Sequence, residues 1–111
     1  MNFYDNLNAK NVFHFFEEIS KIPRGSFNEK CISNYLVNFA KERNLESYQD
    51  DIYNVIIKKN ATEGLGDAPT IILQGHTDMV CEKNSGTEHD FLTDPIEIIQ
   101  KDDMLYANGT T

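Results

Sequence analysis

The sequence holds 111 residues, 40% of them hydrophobic and 25% charged, with a formal net charge of -8 and no tryptophan. That length suits one small domain with a modest core rather than two independent ones. The acidic balance, with ten scattered basic residues, excludes a nucleic-acid footprint, because phosphate binding needs clustered Lys and Arg.

No apolar run approaches the roughly 20 residues of a membrane span. The N-terminus, MNFYDNLNAK, lacks the basic region and apolar stretch of a signal peptide. Two cysteines fifty positions apart, Cys31 and Cys81, read as free thiols rather than a disulfide framework. The expected location is cytoplasmic.

In chain order, residues 9–22 carry Val12, Phe13, Phe16 and Ile19 at helical spacing, which predicts an amphipathic helix ended by Pro23. Ser26 and Glu29 match a capping box, so a second helix is expected over 27–43. Its buried face would comprise Cys31, Ile32, Tyr35, Leu36, Phe39 and Ala40. Strands are expected over 45–48 and 53–58, followed by a loop over 60–68. The unbroken apolar run Thr70–Gln74 suits a strand buried on both faces. Residues 82–94 are polar and read as irregular, with the acids Asp50-Asp51 and Asp102-Asp103 solvated at turns. Residues 96–100 and 104–107, separated by Lys101-Asp102-Asp103, signal a hairpin. The fold class is therefore α/β, two helices followed by a mostly mixed sheet.

The chemistry-bearing element is Gln74-Gly75-His76-Thr77-Asp78-Met79-Val80, which follows directly from the apolar run. Ligands bind beyond the carboxyl ends of strands in α/β sheets, where a polar pair is well placed. Residues two apart in extended backbone point to the same side, so His76 and Asp78 can share a cavity. Neutral imidazole suits zinc, and a ligating His is commonly oriented by an outer carboxylate. Gly75 would give the backbone room to approach a bound group. On spacing alone the signal is weak, and a His and an Asp hydrogen-bonded at a strand end is the more common meaning of such a pair.

The runs Ile22-Pro23-Arg24-Gly25-Ser26, Gln74 through Asn84, His89-Asp90-Phe91, Asp94-Pro95-Ile96 and Gly109-Thr110-Thr111 together resemble the aminoacyl-histidine dipeptidase branch of the dinuclear zinc peptidases. The resemblance spans nearly the whole chain, and 74–84 is its most specific piece. It implies hydrolysis of Xaa-His dipeptides such as carnosine by metal-activated water, with two zinc ions in the complete enzyme. It implies that His76 is a metal ligand and that Asp78 is the carboxylate that orients it. It places 1–111 in the N-terminal part of the catalytic domain. A bridging Asp, a general-base Glu and the remaining ligands are expected beyond Thr111, so the chain alone should be inactive. Expected partners are a dipeptide in the complete enzyme and a second copy through exposed sheet edges. Another peptidase or deacylase of the superfamily, or a non-catalytic binding or scaffolding domain on the same fold, are the alternatives. Within this pattern Cys81 reads as a small buried thiol, Arg24 as a backbone anchor or ion-pair partner, His89 as structural, and His14 as packed or exposed.

Overall fold

A computed structural model describes residues 3–111. The element order is α1 (Lys10–Ser20), α2 (Lys30–Glu42), β1 (Glu46–Gln49), β2 (Val55–Lys58), β3 (Ile98–Lys101) and β4 (Met104–Ala107). The chain divides into two compact units, Met1–Ile32 with Asp78–Thr111, and Ser33–Thr77.

In the first unit, α1 starts without a side-chain cap. It ends where the Lys21 N–H turns back to Glu17 O and Glu18 O, two residues ahead of Pro23. Ser20 is buried and donates its hydroxyl to Phe16 O at 2.7 Å. The expected apolar stripe is partly displaced. Phe13 and Ile19 are half-buried, whereas Val12 and Phe16 are exposed. Tyr4 is buried instead, with its hydroxyl donating to Glu17 Oε2 at 2.9 Å.

The β3–β4 hairpin is antiparallel, pairing Ile98 with Ala107 and Lys101 with Met104. The tight turn at Asp102-Asp103 needs a positive φ, which Asp102 supplies at 54° and which short polar side chains tolerate. Ile98, Leu105 and Ala107 share the half-buried face, while Ile99, Met104 and Tyr106 are exposed. The hairpin is tied to the end of α1 by Ile96 N–H to Ser20 O at 2.9 Å.

In the second unit, α2 ends as its hydrophobic pattern ends. Asn44 takes φ 53°, and Leu45 N–H reaches back to Ala40 O at 2.9 Å, a left-handed helix stop for which Asn is suited. Strand β1 pairs antiparallel with β2, setting Tyr48 opposite Ile56 and Gln49 opposite Val55. Alternation puts Ser47, Gln49, Val55 and Ile57 on the half-buried face. Glu46 and Lys58 pair across the exposed face at 3.1 Å.

Ser33 joins helix to hairpin. It is fully buried, donates to Tyr53 O at 2.8 Å and accepts from Gln49 Nε2 at 2.7 Å. Replacing it by alanine removes the donor to Tyr53 O and one of the two acceptors of Gln49 Nε2, which keeps its bond to Asn34 Oδ1 at 3.1 Å, and a buried group left unpaired costs its desolvation. Ser33→Ala is expected to cost about 1–3 kcal/mol in chemical denaturation. An unchanged midpoint and slope would contradict that bond's role.

The Asp50 turn also departs from simple solvation. Its Oδ1 accepts from Ile52 N–H at 3.0 Å and Asn54 N–H at 2.8 Å, and its Oδ2 accepts from Asn54 Nδ2 at 2.8 Å. The Asn54 side-chain bond, with the two backbone bonds, holds this carboxyl below the usual range. A depressed folded value means the stabilisation is present above the ordinary aspartate pKa and is lost as pH falls through the folded value. The difference in melting temperature between the native chain and Asp50→Ala should therefore be constant near neutrality and vanish in acid. A pH-independent difference would rule out this linkage.

Three expectations are corrected. The α/β class and the order of helices before strands hold, but among the described residues the strands form two separate antiparallel pairs rather than one mixed sheet, with an isolated parallel bridge at Gly25–Met79. The run 70–74 forms no strand among the described residues, and Ile71, Ile72 and Leu73 are 82%, 85% and 93% exposed. An apolar run becomes a doubly buried strand only when strands flank it and other layers cover it. No described segment does so. Finally, Cys31 lies off the buried face of α2 and is exposed, whereas Ile32 and Ala40 are buried and Tyr35, Leu36 and Phe39 half-buried.

Candidate active-site segment

The segment after the apolar run is held by residues far away in sequence. Met79 N–H donates to Arg24 O at 2.9 Å, beside the parallel Gly25–Met79 bridge. On its other side, Thr111 N–H donates to Glu82 O at 2.9 Å and Asn84 N–H to Gly109 O at 2.8 Å, flanking an antiparallel Lys83–Thr110 bridge. The Thr111 hydroxyl adds a bond to Val80 O. Residues 22–26, 78–84 and 109–111 thus lie side by side. These are three of the runs that carried the resemblance.

Close approaches in this cluster fall at Gly109, where a Cβ would run into the Thr87 side chain, and at Gly25. Gly25 is buried, and a Cβ there would run into Cys81 Sγ. At Gly75 a Cβ would meet nothing within 4 Å, so the chain's own packing does not require glycine there. Cys81, expected to be a buried thiol, is exposed, although its sulfur lies where a Cβ on Gly25 would stand.

Arg24 acts as an anchor rather than an ion-pair partner. Its Nη1 donates to Ile19 O near the α1 terminus, where the helix dipole favours a cation. Its Nη2 reaches Met79 Sδ at 2.9 Å. Half-burial lowers its pKa by desolvation.

The expected capping box is not formed. Helix α2 begins at Lys30, and Glu29 Oε1 accepts from Phe27 N–H at 2.7 Å. The Ser26 hydroxyl donates instead to Asp78 Oδ2 at 2.6 Å. Ser26 is exposed and Asp78 half-buried. Ser26 sits in a turn closed by Asn28 N–H to Gly25 O at 2.8 Å. The third residue of that turn, Phe27, has φ 69° and a fully exposed side chain. A bulky residue in this region is strained. Phe27→Gly is expected to raise stability by about 1 kcal/mol, strain relief exceeding the extra chain entropy of glycine. A fall in melting temperature would show that the Phe27 side chain contributes to folding.

His76 is exposed. His14 is exposed and meets the Tyr4 hydroxyl through Nδ1 at 3.3 Å. His89 is half-buried and packs edge-on against Phe91, with ring centroids 4.6 Å apart. The three histidines therefore stand in separate surroundings. Among the described residues, no three of His, Cys, Asp and Glu are grouped to hold a metal ion. Catalytic zinc takes three protein ligands with one position open. The described donors do not fit a complete zinc site, and no catalytic step follows from them alone.

No family model matches the chain. The cytosol non-specific dipeptidase of Escherichia coli (strain K12) is 36% identical over 105 residues, which is 95% of this chain and 22% of that protein. The crystal structure of aminoacylhistidine dipeptidase from Vibrio alginolyticus matches with a TM-score of 0.90 and 38% identity, over 96% of this chain and 22% of that one. The chain resembles a segment of the aminoacyl-histidine dipeptidases. It spans about a fifth of the length of these relatives. The helices and following strands of this chain trace the backbone path of part of that dipeptidase structure, with α/β content. Among the described residues, no helix is long and apolar enough to cross a membrane.

Proposed function

We propose that this chain is the N-terminal part of the catalytic domain of a cytoplasmic, zinc-dependent dipeptidase that hydrolyses Xaa-His dipeptides. The supporting observation is the convergence of the segments 22–26, 78–84 and 109–111, in a chain that is similar along nearly its full length to two dipeptidases. In this proposal His76 is one metal ligand and Asp78 orients it, an outer carboxylate fixing the ring and raising its basicity. Two zinc ions would supply Lewis-acid activation of water and carbonyl in the complete enzyme. The remaining ligands and the general base would come from polypeptide outside these 111 residues. That same polypeptide would cover Ile71, Ile72 and Leu73, making 70–74 an interior strand.

The isolated chain is accordingly expected to leave carnosine uncleaved, with or without zinc. The test is the reading frame that follows Thr111, expressed together with this segment and assayed on carnosine with zinc and with a chelator. Chelator-sensitive cleavage by the longer product supports the proposal. A longer product that folds and binds zinc but cleaves no dipeptide would point to a binding domain on the peptidase fold.

A further inference from the structure

We propose that Ser26 is a positioning residue for the Asp78 carboxylate. The inference rests on the proposed role of Asp78 in orienting His76. The two residues lie 52 positions apart, yet the Ser26 hydroxyl donates to Asp78 Oδ2 at 2.6 Å. A carboxylate accepts through both oxygens, and each can take more than one donor. With Oδ2 held, the group no longer turns freely about its last bond, and the direction in which Oδ1 accepts is set.

The neighbouring backbone makes this contact a built one. Gly25, on one side of Ser26, is bridged to Met79, on one side of Asp78. Met79 N–H is bonded to Arg24 O, and Asn28 N–H closes the turn on Gly25 O. Both partners are thus carried on segments fixed to each other next to the contact. Arg24 adds a second tie, bonding Ile19 O and Met79 Sδ with its two terminal nitrogens. Gly25 is the residue that admits this proximity, since a side chain there would displace the Cys81 thiol. Ser26 does not cap α2, which starts four residues later at Lys30. Its hydroxyl is therefore committed to Asp78 rather than to the helix.

The experiment uses the 111-residue chain labelled with nitrogen-15 in histidine, at a pH where imidazole is neutral. Ring-nitrogen shifts report which nitrogen of His76 carries the proton, and His76→Gln assigns its signals apart from those of His14 and His89. Ser26→Ala is expected to shift the His76 tautomer ratio by about threefold toward that of Asp78→Asn, a smaller effect than typical loss of an outer partner of a metal ligand. Ser26→Thr, which keeps the hydroxyl, should retain the native ratio. A merely structural role for Ser26 would not produce this pattern of loss and rescue. If Asp78→Asn moves the ratio and Ser26→Ala does not, the positioning role of Ser26 is overturned while that of Asp78 survives. If Asp78→Asn itself leaves the ratio unchanged, Asp78 does not orient His76, and both proposals fall.

Discussion

Replacing Ile72 and Leu73 together by lysine is expected to keep the chain monomeric at concentrations where the native chain self-associates. Ile71, Ile72 and Leu73 lie in one exposed run that no described strand pairs with. Full burial of such side chains is worth about 1.5–3 kcal/mol each. Three in a row therefore represent several kcal/mol that the isolated chain does not realise, comparable with the whole stability of a small domain. The backbone of the run is a template for another strand, and lysine is a common device for blocking that pairing. No charged residue stands between Asp67 and His76 to oppose it locally. The net charge of -8 opposes association at long range, so added salt should strengthen it by screening. Sedimentation velocity across a concentration series measures both effects. Because the replaced side chains are already exposed, the melting temperature should barely move. Identical concentration dependence in native and double-lysine chains would sink the expectation.

In the longer product, His76→Ala should reduce dipeptide cleavage to background, and Asp78→Asn should reduce it about 10- to 100-fold, the usual cost of losing an outer partner of a metal ligand. The two losses have different origins. If His76 is the ligand proposed above, removing it leaves fewer than the three protein donors that catalytic zinc requires. In the same proposal, removing the Asp78 carboxylate keeps the ligand but weakens its hold and its geometry. Excess zinc should therefore restore part of the Asp78→Asn activity and none of the His76→Ala activity. Full activity in His76→Ala would remove this residue from the metal site. Equal losses that zinc does not rescue would assign Asp78 a role other than orienting His76.

Local patterns were legible wherever a residue's conformation depends on its near neighbours. The two helices, the strands β1 and β2, the β3–β4 hairpin and its turn at Asp102 follow from periodicity, proline and aspartate over spans of a few residues. The motif 74–80 was legible because its residue types and order resemble those of a known peptidase branch. Ser26 was misassigned for a related reason. Its spacing to Glu29 satisfies a local rule, while its actual partner, Asp78, lies 52 residues away. No local signal distinguishes a capping serine from one used elsewhere. Ser33, fully buried between helix and hairpin, was missed because its hydroxyl is satisfied by Tyr53 O and the Gln49 side chain, which only the folded chain brings to it.

By itself the amino-acid sequence determined the acidic character of the chain, its order of helices before strands, and the presence of a dipeptidase-like His-x-Asp motif. Those properties are set by composition, by the short-range sterics of helix and turn, and by residue identity. Only the tertiary structure decided that strands pair locally rather than as one mixed sheet, that 70–74 is exposed, that Gly25 rather than Gly75 is a close approach, and that Ser26 meets Asp78. Each of these depends on whether a second segment arrives at the right place. Burial, pairing and hydrogen-bond choice belong to two partners at once, and one partner's sequence states only its capacity for them.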